Sequence, residues 1–154
     1  MPTPVLDLRP ARYDDPVAAR LVAELQQEFV VRYGGPDETP VDPAEFAPPR
    51  GTFLVAWDGD EPVGCGGWRI VEPGLGEIKR MYVVAAHRGR GLSRIVLAAL
   101  EDAARAAGLT RLRLETGDQQ PEALRLYGTS GYAPIPRFGY YACHESSLCF
   151  AKDL

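Results

Sequence analysis

The sequence has few of the residues that bind metal ions or form disulfide bonds. It contains two histidines and three cysteines, Cys65, Cys143 and Cys149, with no CxxC spacing. An odd number of unclustered cysteines indicates neither a disulfide framework nor a zinc site. We therefore expect no metal ion, and a reducing, cytoplasmic setting.

The sequence also lacks an excess of positive charge and a long apolar run. Its formal net charge at pH 7 is −4, whereas binding to nucleic acid normally needs a basic face. No apolar run is long enough to span a bilayer, and the first nine residues do not combine a charged start with an apolar stretch. These absences predict no nucleic-acid partner, no membrane association and no signal peptide.

The composition is that of an ordinary globular chain. The 154 residues are 45% hydrophobic and 25% charged, so we expect one domain, residues 1–154, with a substantial core. The predicted strands cover residues 5–8, 52–57, 62–71, 77–84, 111–115 and 147–151. Helices are predicted from 16 to about 34, from 92 to about 108 and from 121 to about 131. The order indicates a mixed α/β sheet with parallel and antiparallel strands.

Residues 83–97 predict a strand, a glycine turn and a helix in succession. Gly89 and Gly91 allow the backbone to approach a bulky anion closely. The helix that follows begins with amides that lack intrahelical partners, and its dipole favours negative charge at that end. Three arginines add positive charge around the turn. The stretch is therefore predicted to hold a phosphate group.

Two motifs resemble the GCN5-related N-acetyltransferase (GNAT) superfamily. The acetyl-CoA signature of that family is Gln or Arg, two residues of any type, Gly, any residue, then Gly or Ala. It is present here as Arg88-Gly89-Arg90-Gly91-Leu92-Ser93, with serine at the last position. Ala123 to Tyr127, followed by Gly131-Tyr132, is similar to the family's Asn-x-x-Ala-x-x-x-Tyr pattern, with Gln120 in place of asparagine.

The resemblance implies the GNAT fold, an α/β (α+β) arrangement with a mixed central sheet of six to seven strands, split between the fourth and fifth strands, and flanking helices. It also implies direct transfer of the acetyl group of acetyl-CoA to a primary amine of a small molecule or peptide. The implied cofactor-binding residues are Met81 and Val83, through their backbone, together with Arg88, Gly89, Arg90, Gly91, Leu92, Ser93 and Gln120. A homodimer is the commonest arrangement for such a chain.

Two side chains are the candidates for proton transfer. Tyr127 matches the tyrosine that protonates the leaving thiolate in this family, although it could also be a core aromatic residue. A lysine-like amine needs about 4–5 kcal/mol to become neutral at pH 7, so a carboxylate near the cleft is expected. Glu77, eleven residues before Arg88, has the position of the glutamate base of the histone-acetyltransferase branch. It could instead be a solvated glutamate at the strand edge, or attract a cationic substrate.

Other features have a structural and a functional interpretation. His87 is expected at the surface or next to the phosphate, and Cys65 is expected in the core. The proline-rich loop from Pro36 to Pro49 is well placed to cover a cleft. Residues 136–141 resemble a Pro-x-Phe-Gly-x-Tyr loop of some bacterial members, which either lines the acceptor pocket or only packs. The glycines at positions 64, 66 and 67 predict a bulge or a close approach to the backbone.

Two other classes of protein would share part of this sequence pattern. The glycine turn could open the GxGxxG motif of a dinucleotide-binding oxidoreductase, but Arg94 occupies the position of the third glycine. A non-catalytic module that binds acetyl-CoA would keep the turn without turnover. Tyr127 and Glu77 disfavour this second alternative and leave it open.

Overall fold

A computed structural model describes residues 5–154. Within these residues, seven strands form one sheet in the order β1-β2-β3-β4-β5-β7-β6. The strands are β1 (Asp7–Pro10), β2 (Gly51–Asp58), β3 (Glu61–Glu72), β4 (Leu75–Val83), β5 (Arg111–Gly117), β6 (Ala133–Ile135) and β7 (Ser147–Asp153). The α-helices are α1 (Pro16–Tyr33), α2 (Leu92–Ala106) and α3 (Pro121–Thr129).

Only one pair of neighbouring strands in the described sheet is parallel. β4 and β5 run in the same direction and are joined through α2, whereas all other neighbours are antiparallel. A parallel pair needs a crossover connection, and here a helix provides it. The predicted mixed sheet with flanking helices is thus confirmed.

The ends of α1 follow the signals in the sequence. The carboxylate of Asp15 accepts a hydrogen bond from the amide of Val17 at 3.0 Å, and Pro16 is the first helical residue. At the other end, Gly34 has a φ of 83°, which a residue without Cβ adopts readily. Leu21 and Leu25 are buried on the face towards the sheet.

The core has two layers, because the side chains of a strand alternate between the two faces of the sheet. On one face, Phe53 and Val55 of β2 pack with α1. On the other face, Leu54 and Ala56 pack with α2. The indole of Trp68 spans part of the second layer and donates a hydrogen bond to the backbone oxygen of Leu100 at 3.0 Å. The two helices therefore cover opposite faces of the sheet.

The glycines of β3 lie where neighbouring groups come close. A Cβ on Gly67 would be 2.7 Å from both the ring of Phe53 and the backbone oxygen of Thr52. A Cβ on Gly66 would be 2.8 Å from the sulfur of Met81. The register between β3 and β4 also shifts between Cys65 and Gly67. The glycines of β3 predicted a bulge or a close approach to the backbone. The close approach occurs, whereas the extra residue of the bulge lies in β4 and not in β3.

Several boundaries differ from the prediction. The first strand is Asp7–Pro10 rather than residues 5–8. Residues 1–4, part of the N-terminal stretch for which no signal peptide is predicted, lie outside the described residues. β6 was not predicted, since it has only three residues and contains Pro134. The loop from Pro36 to Pro49 includes a 3-10 turn at Pro43–Phe46 and buries Phe46 against the sheet. None of the helices described within residues 5–154 has the length and apolar character to cross a membrane.

Candidate active site

A cleft opens where β4 and β5 stop pairing. The two strands pair only from Leu75 to Ile78 and from Arg111 to Leu114, although β4 continues to Val83 and β5 to Gly117. Beyond these pairs the strands separate, and a cavity of about 240 Å³ lies between them. Because β5 is not beside the later part of β4, backbone groups at this edge are available to a ligand.

A bulge shapes the floor of the cleft. Arg80 has a φ of 62°, a conformation that is uncommon for a residue other than glycine. In the pairing of β3 with β4, the segment from Lys79 to Tyr82 is one residue longer than the segment of β3 opposite. The extra residue brings Lys79 and Arg80 to the same face of the sheet, where both contact Asp37.

Asp37 is held between these two cations. Its Oδ2 lies 2.5 Å from Nη1 of Arg80 and 3.3 Å from Nζ of Lys79. Arg80 also donates a hydrogen bond to the hydroxyl of Tyr13 at 3.1 Å. Burial raises the pKa of Asp37, but the charges of Lys79 and Arg80 outweigh this effect and bring it below its ordinary value. Asp37 is therefore ionised at neutral pH and fixes the loop after α1 to the bulge.

The turn before α2 presents main-chain donors to the cleft. Gly89 and Gly91 have φ values of 80° and 77°, and a Cβ at either position would meet no atom of the described residues within 4 Å. The N-terminus of α2 has no side-chain cap in the described part of the chain. Open space, free amides and the positive end of the helix dipole together suit a phosphate group, so the chain fits the pyrophosphate of a coenzyme A molecule.

Two arginines around this turn are already bonded to protein groups. Arg88 donates to the backbone oxygen of Val83 at 3.0 Å and forms an ion pair with Glu28. Arg94 donates to the hydroxyls of Thr129 and Ser130. The two side chains therefore tie the turn to α1 and to the end of α3, in addition to their positive charge.

Tyr127 lies on α3 with its side chain at the cleft. Its ring packs edge to face against Tyr132, with 5.6 Å between the ring centroids. The residue is only 5% exposed, and none of the hydrogen bonds found among residues 5–154 involves its hydroxyl. Burial raises the pKa of Tyr127 above its ordinary value. The hydroxyl is therefore protonated at neutral pH and has its proton available for a ligand in the cleft.

The structure brings together all but two of the residues that the sequence predicted for the site. The residues that line the cleft are Met81, Val83, Arg88, Gly89, Gly91, Leu92, Ser93, Gln120 and Tyr127. Arg90 and Glu77 do not line it. His87 does line the cleft, with Nε2 at 3.6 Å from Oε2 of Glu61.

Glu77 lies in a second cavity beside the cleft. One of its carboxylate oxygens accepts hydrogen bonds from Arg69, the nearer at 3.1 Å, and the other accepts from Arg113 at 3.2 Å. The residue is buried. Both oxygens of Glu77 are thus engaged with guanidinium groups, and it would have to give up one of these bonds to accept a proton.

Glu115 was not among the candidates from the sequence, yet it lines the cleft and two neighbouring cavities. It lies on β5 just after the last residue paired with β4. Burial raises its pKa, the nearby charge of Lys79 opposes this change, and the net pKa is above its ordinary value. There was little reason in the sequence to assign Glu115 to the site. It is the third polar position of an alternating strand, after Arg111 and Arg113, and such positions usually face solvent.

The remaining titratable candidates have structural surroundings. Cys65 is fully buried, and burial raises the pKa of its thiol. All three cysteines are unpaired. Across the described part of the chain, no three histidine, cysteine, aspartate or glutamate residues are grouped as metal ligands would be. Loop residues Phe138 and Tyr140 line the second cavity together with Glu77.

Comparison with known proteins agrees with this geometry. The model of the acetyltransferase (GNAT) family matches residues 19–132. An IAA acetyltransferase from Azospirillum brasilense is 39% identical over 136 residues, which are 88% of this chain and 89% of that protein. The crystal structure of a Klebsiella pneumoniae protein named as an acyl-CoA N-acyltransferase has 32% identity and a TM-score of 0.81, covering 97% of this chain and 98% of the other.

A more distant structure shares the fold. A GNAT acetyltransferase from Elizabethkingia anophelis, solved with acetyl-CoA bound, has 16% identity and a TM-score of 0.71, covering 97% of this chain and 98% of the other. The family model spans most of the chain, including the turn before α2 and the helix that carries Tyr127. The chain therefore belongs to the GNAT family of acetyltransferases, as its two motifs predicted.

Proposed function

We propose that the protein transfers the acetyl group of acetyl-CoA directly to the primary amine of a small molecule or peptide. The observation that carries this proposal is the separation of β4 from β5, with the uncapped N-terminus of α2 at the cleft and the hydroxyl of Tyr127 inside it. Family membership supports the same reaction class. A cytoplasmic setting, one domain and a homodimer remain predictions from the sequence.

Main-chain groups do most of the cofactor binding in this proposal. The amide of Arg88 already donates to the backbone oxygen of Ala85, so the amides from Gly89 to Ser93 hold the pyrophosphate. The free edge of β4 at Met81 and Val83 pairs with the amide groups of the pantetheine arm. Arg90 adds positive charge near the turn without lining the cleft. Gln120, whose amide nitrogen lies 3.3 Å from the hydroxyl of Tyr33, lines the opposite wall.

Acetyl-CoA supplies an acyl group activated as a thioester. The N–C bond to the acceptor forms at the acetyl carbon as the C–S bond breaks, and the nitrogen loses one proton while the sulfur gains one. Tyr127 donates the proton that the sulfur gains, since its neutral hydroxyl has no acceptor among residues 5–154. This is the role that the resemblance to the family implies for it.

Two carboxylates compete for the proton of the amine. Glu77 is the candidate from the sequence, and its bonds to Arg69 and Arg113 oppose proton uptake, whether direct or through a water molecule. Glu115 lines the cleft itself, and its raised pKa suits a base better than that of an ordinary surface glutamate. Substituting each residue separately by glutamine tests the two assignments. The base is the residue whose substitution changes the acidic limb of the profile of kcat/KM against pH.

The first test of the proposal has two stages. Isothermal titration with acetyl-CoA measures binding, and a thiol-release assay with polyamines, aminoglycosides, amino acids and peptides measures turnover. Binding followed by acceptor-dependent thiol release is the expected result. Binding without release by any amine would favour the non-catalytic acetyl-CoA module, and failure to bind acetyl-CoA would contradict both. The same assay with longer acyl-CoA donors tests whether the transferred group is acetyl.

A further inference from the structure

A second cavity lies beside the cleft, and its position fits it to hold an acceptor. It has a volume of about 370 Å³, within the usual range for sites that bind small molecules. Lys79 and Glu115 line both the cleft and this second cavity. An acceptor in the second cavity would therefore reach the cleft between these two side chains.

Lys79 has hydrogen-bonding capacity that the protein does not use. Its ammonium group lies 3.3 Å from Oδ2 of Asp37 but forms no hydrogen bond among residues 5–154. The side chain is only 8% exposed. An ammonium group has three donors, and its one ion pair with Asp37 leaves capacity for further acceptors. A ligand with acceptor oxygens in the second cavity would satisfy these donors.

Arg113 presents a second set of free donors to the same cavity. Its Nε and Nη2 are both 3.2 Å from Oε1 of Glu77, whereas Nη1 makes no hydrogen bond among the described residues. Its guanidinium lies over the ring of Phe138, 3.8 Å from the centroid, which holds the group in place. Arg69 differs, since the backbone oxygen of Pro40 and two glutamates already engage it.

The charges around these groups balance in number, four cations against four carboxylates, but they are separated in space. Asp37 is shared by Lys79 and Arg80, and Glu77 is shared by Arg69 and Arg113. With Glu45, which also pairs with Arg69, three paired carboxylates face four cations. The fourth carboxylate, Glu115, has no lysine or arginine nitrogen within 4.0 Å among residues 5–154, and it lies at the border with the cleft.

From this distribution we infer that the acceptor is a small amine that also carries a carboxylate, as a free amino acid does. Its carboxylate binds Lys79 and Arg113 in the second cavity. Hydrogen bonds from charged donors such as these to a carboxylate are stronger than hydrogen bonds between neutral groups. Its ammonium lies next to Glu115 and faces the cleft. A polyamine would bring another positive charge to Lys79 and Arg113, and is disfavoured. The inference rests on the proposed acetyl transfer and specifies its acceptor.

The experiment compares each amino acid with two matched amines. For phenylalanine these are 2-phenylethylamine, which lacks the carboxylate, and phenylalaninamide, which replaces it with a neutral group. The amide has the least basic amine of the three, so low reactivity of the amide cannot come from a protonated nitrogen. At saturating acetyl-CoA, kcat/KM for at least one amino acid is expected to exceed that of both matched amines by tenfold or more.

Variants identify the residue that recognises the carboxylate. Lys79→Met is expected to lower kcat/KM for the preferred amino acid at least tenfold, mainly through KM. It should lower kcat/KM of the matched amine that lacks the carboxylate by a smaller factor, through the lost charge near Glu115. Arg111→Met is the control, because Arg111 is on the same strand as Arg113 but pairs with Asp153 at the surface. It should leave both values unchanged. Affinity for acetyl-CoA is measured for every variant.

The outcomes separate this inference from the proposed function. If carboxylate-free amines are acetylated as well as the amino acids, acetyl transfer stands and the inference is wrong. If no acceptor releases thiol, isothermal titration of amino acids into the complex with CoA still tests whether the second cavity binds them. Binding that Lys79→Met weakens tenfold would support the inference while contradicting catalysis, and absence of binding would contradict the inference as well.

Discussion

Replacing Tyr127 with phenylalanine removes one hydroxyl group and leaves the aromatic ring in place. The ring keeps its edge-to-face contact with Tyr132. Because no hydrogen bond among the described residues involves the lost hydroxyl, the free energy of unfolding should change by less than about 1 kcal/mol. The substitution therefore tests the chemistry of the hydroxyl with little effect on the fold.

The expected effect on turnover follows from general acid catalysis. A positioned proton donor typically contributes about 10²–10⁴-fold to the rate, which is about 3–5 kcal/mol in the barrier. We expect kcat of Tyr127→Phe to fall within this range, with the KM for acetyl-CoA within about twofold. Since burial raises the pKa of Tyr127, ionisation of this hydroxyl should not reduce wild-type activity below about pH 10.

Tyr132→Phe is the matched control. Its hydroxyl donates to Oε2 of the buried Glu101 at 2.8 Å, and Lys152 approaches the same oxygen at 3.0 Å. Losing a hydrogen bond to a buried charge should lower the free energy of unfolding by about 1.5–3 kcal/mol. The kcat of this variant should change little at a temperature where it is folded. Tyr127→Phe should therefore lower kcat but not stability, whereas Tyr132→Phe should lower stability but not kcat.

The assay measures thiol release under saturating acetyl-CoA, with urea unfolding and titration of acetyl-CoA on the same preparations. If Tyr127→Phe keeps wild-type kcat while acetyl-CoA binds normally, Tyr127 is not the proton donor. If it loses turnover and more than about 2 kcal/mol of stability together, the rate effect would reflect structural damage. Either result would refute the reasoning above.

Three further changes test the surroundings of the site. Gly91→Val should weaken CoA binding, measured by titration, at least tenfold. A valine at this positive φ costs about 1–2 kcal/mol in strain, and its side chain enters the open space at the turn. The affinity for acetyl-pantetheine, which lacks the pyrophosphate, should fall less. Asp37→Asn should lower the free energy of unfolding in urea by about 3 kcal/mol at pH 7, because it leaves Lys79 and Arg80 without their shared carboxylate. The pKa of Asp37 is depressed in the folded protein, so the wild-type protein should lose this stabilisation as the pH falls below about 4. The free energy of unfolding of the variant should fall less over the same pH range. An equal fall in both proteins would contradict the ion pairs. Gly67→Ala should destabilise the protein by about 1–3 kcal/mol in thermal unfolding, because its Cβ would lie 2.7 Å from a backbone oxygen, and a wild-type melting temperature would show that the strand can shift freely.

The parts of the fold that follow from local signals were predictable. Asp15 and Gly34 mark the ends of α1 through backbone chemistry that acts within a few residues. β6 gave no such signal, because its three residues are held only by pairing with β7, a partner distant in sequence. Patterns of neighbouring residues predict local structure. They do not predict a short strand that is stabilised only by pairing with a distant part of the chain.

The same distinction applies to the site. The glycine turn and Tyr127 belong to contiguous motifs, so their positions could be assigned by number. Glu115 could not be identified in this way beside Glu77, since its place depends on where β4 and β5 separate and on which cations face each carboxylate. The bulge at Arg80 is equally silent in the sequence, because arginine has no particular preference for a positive φ.

The short pairing of β4 with β5 also bears on how such an enzyme can change. Only four residues of each strand pair, and the wall beyond them on β4 is an edge of main-chain groups. Every residue except proline carries the same donor and acceptor there. Many substitutions along this edge would leave the wall intact, whereas substitutions at Lys79, Arg113 or Phe138 would alter the second cavity. The main-chain edge of β4 can therefore keep its ligand through many mutations. Specificity can change separately, through substitutions of the side chains that line the second cavity.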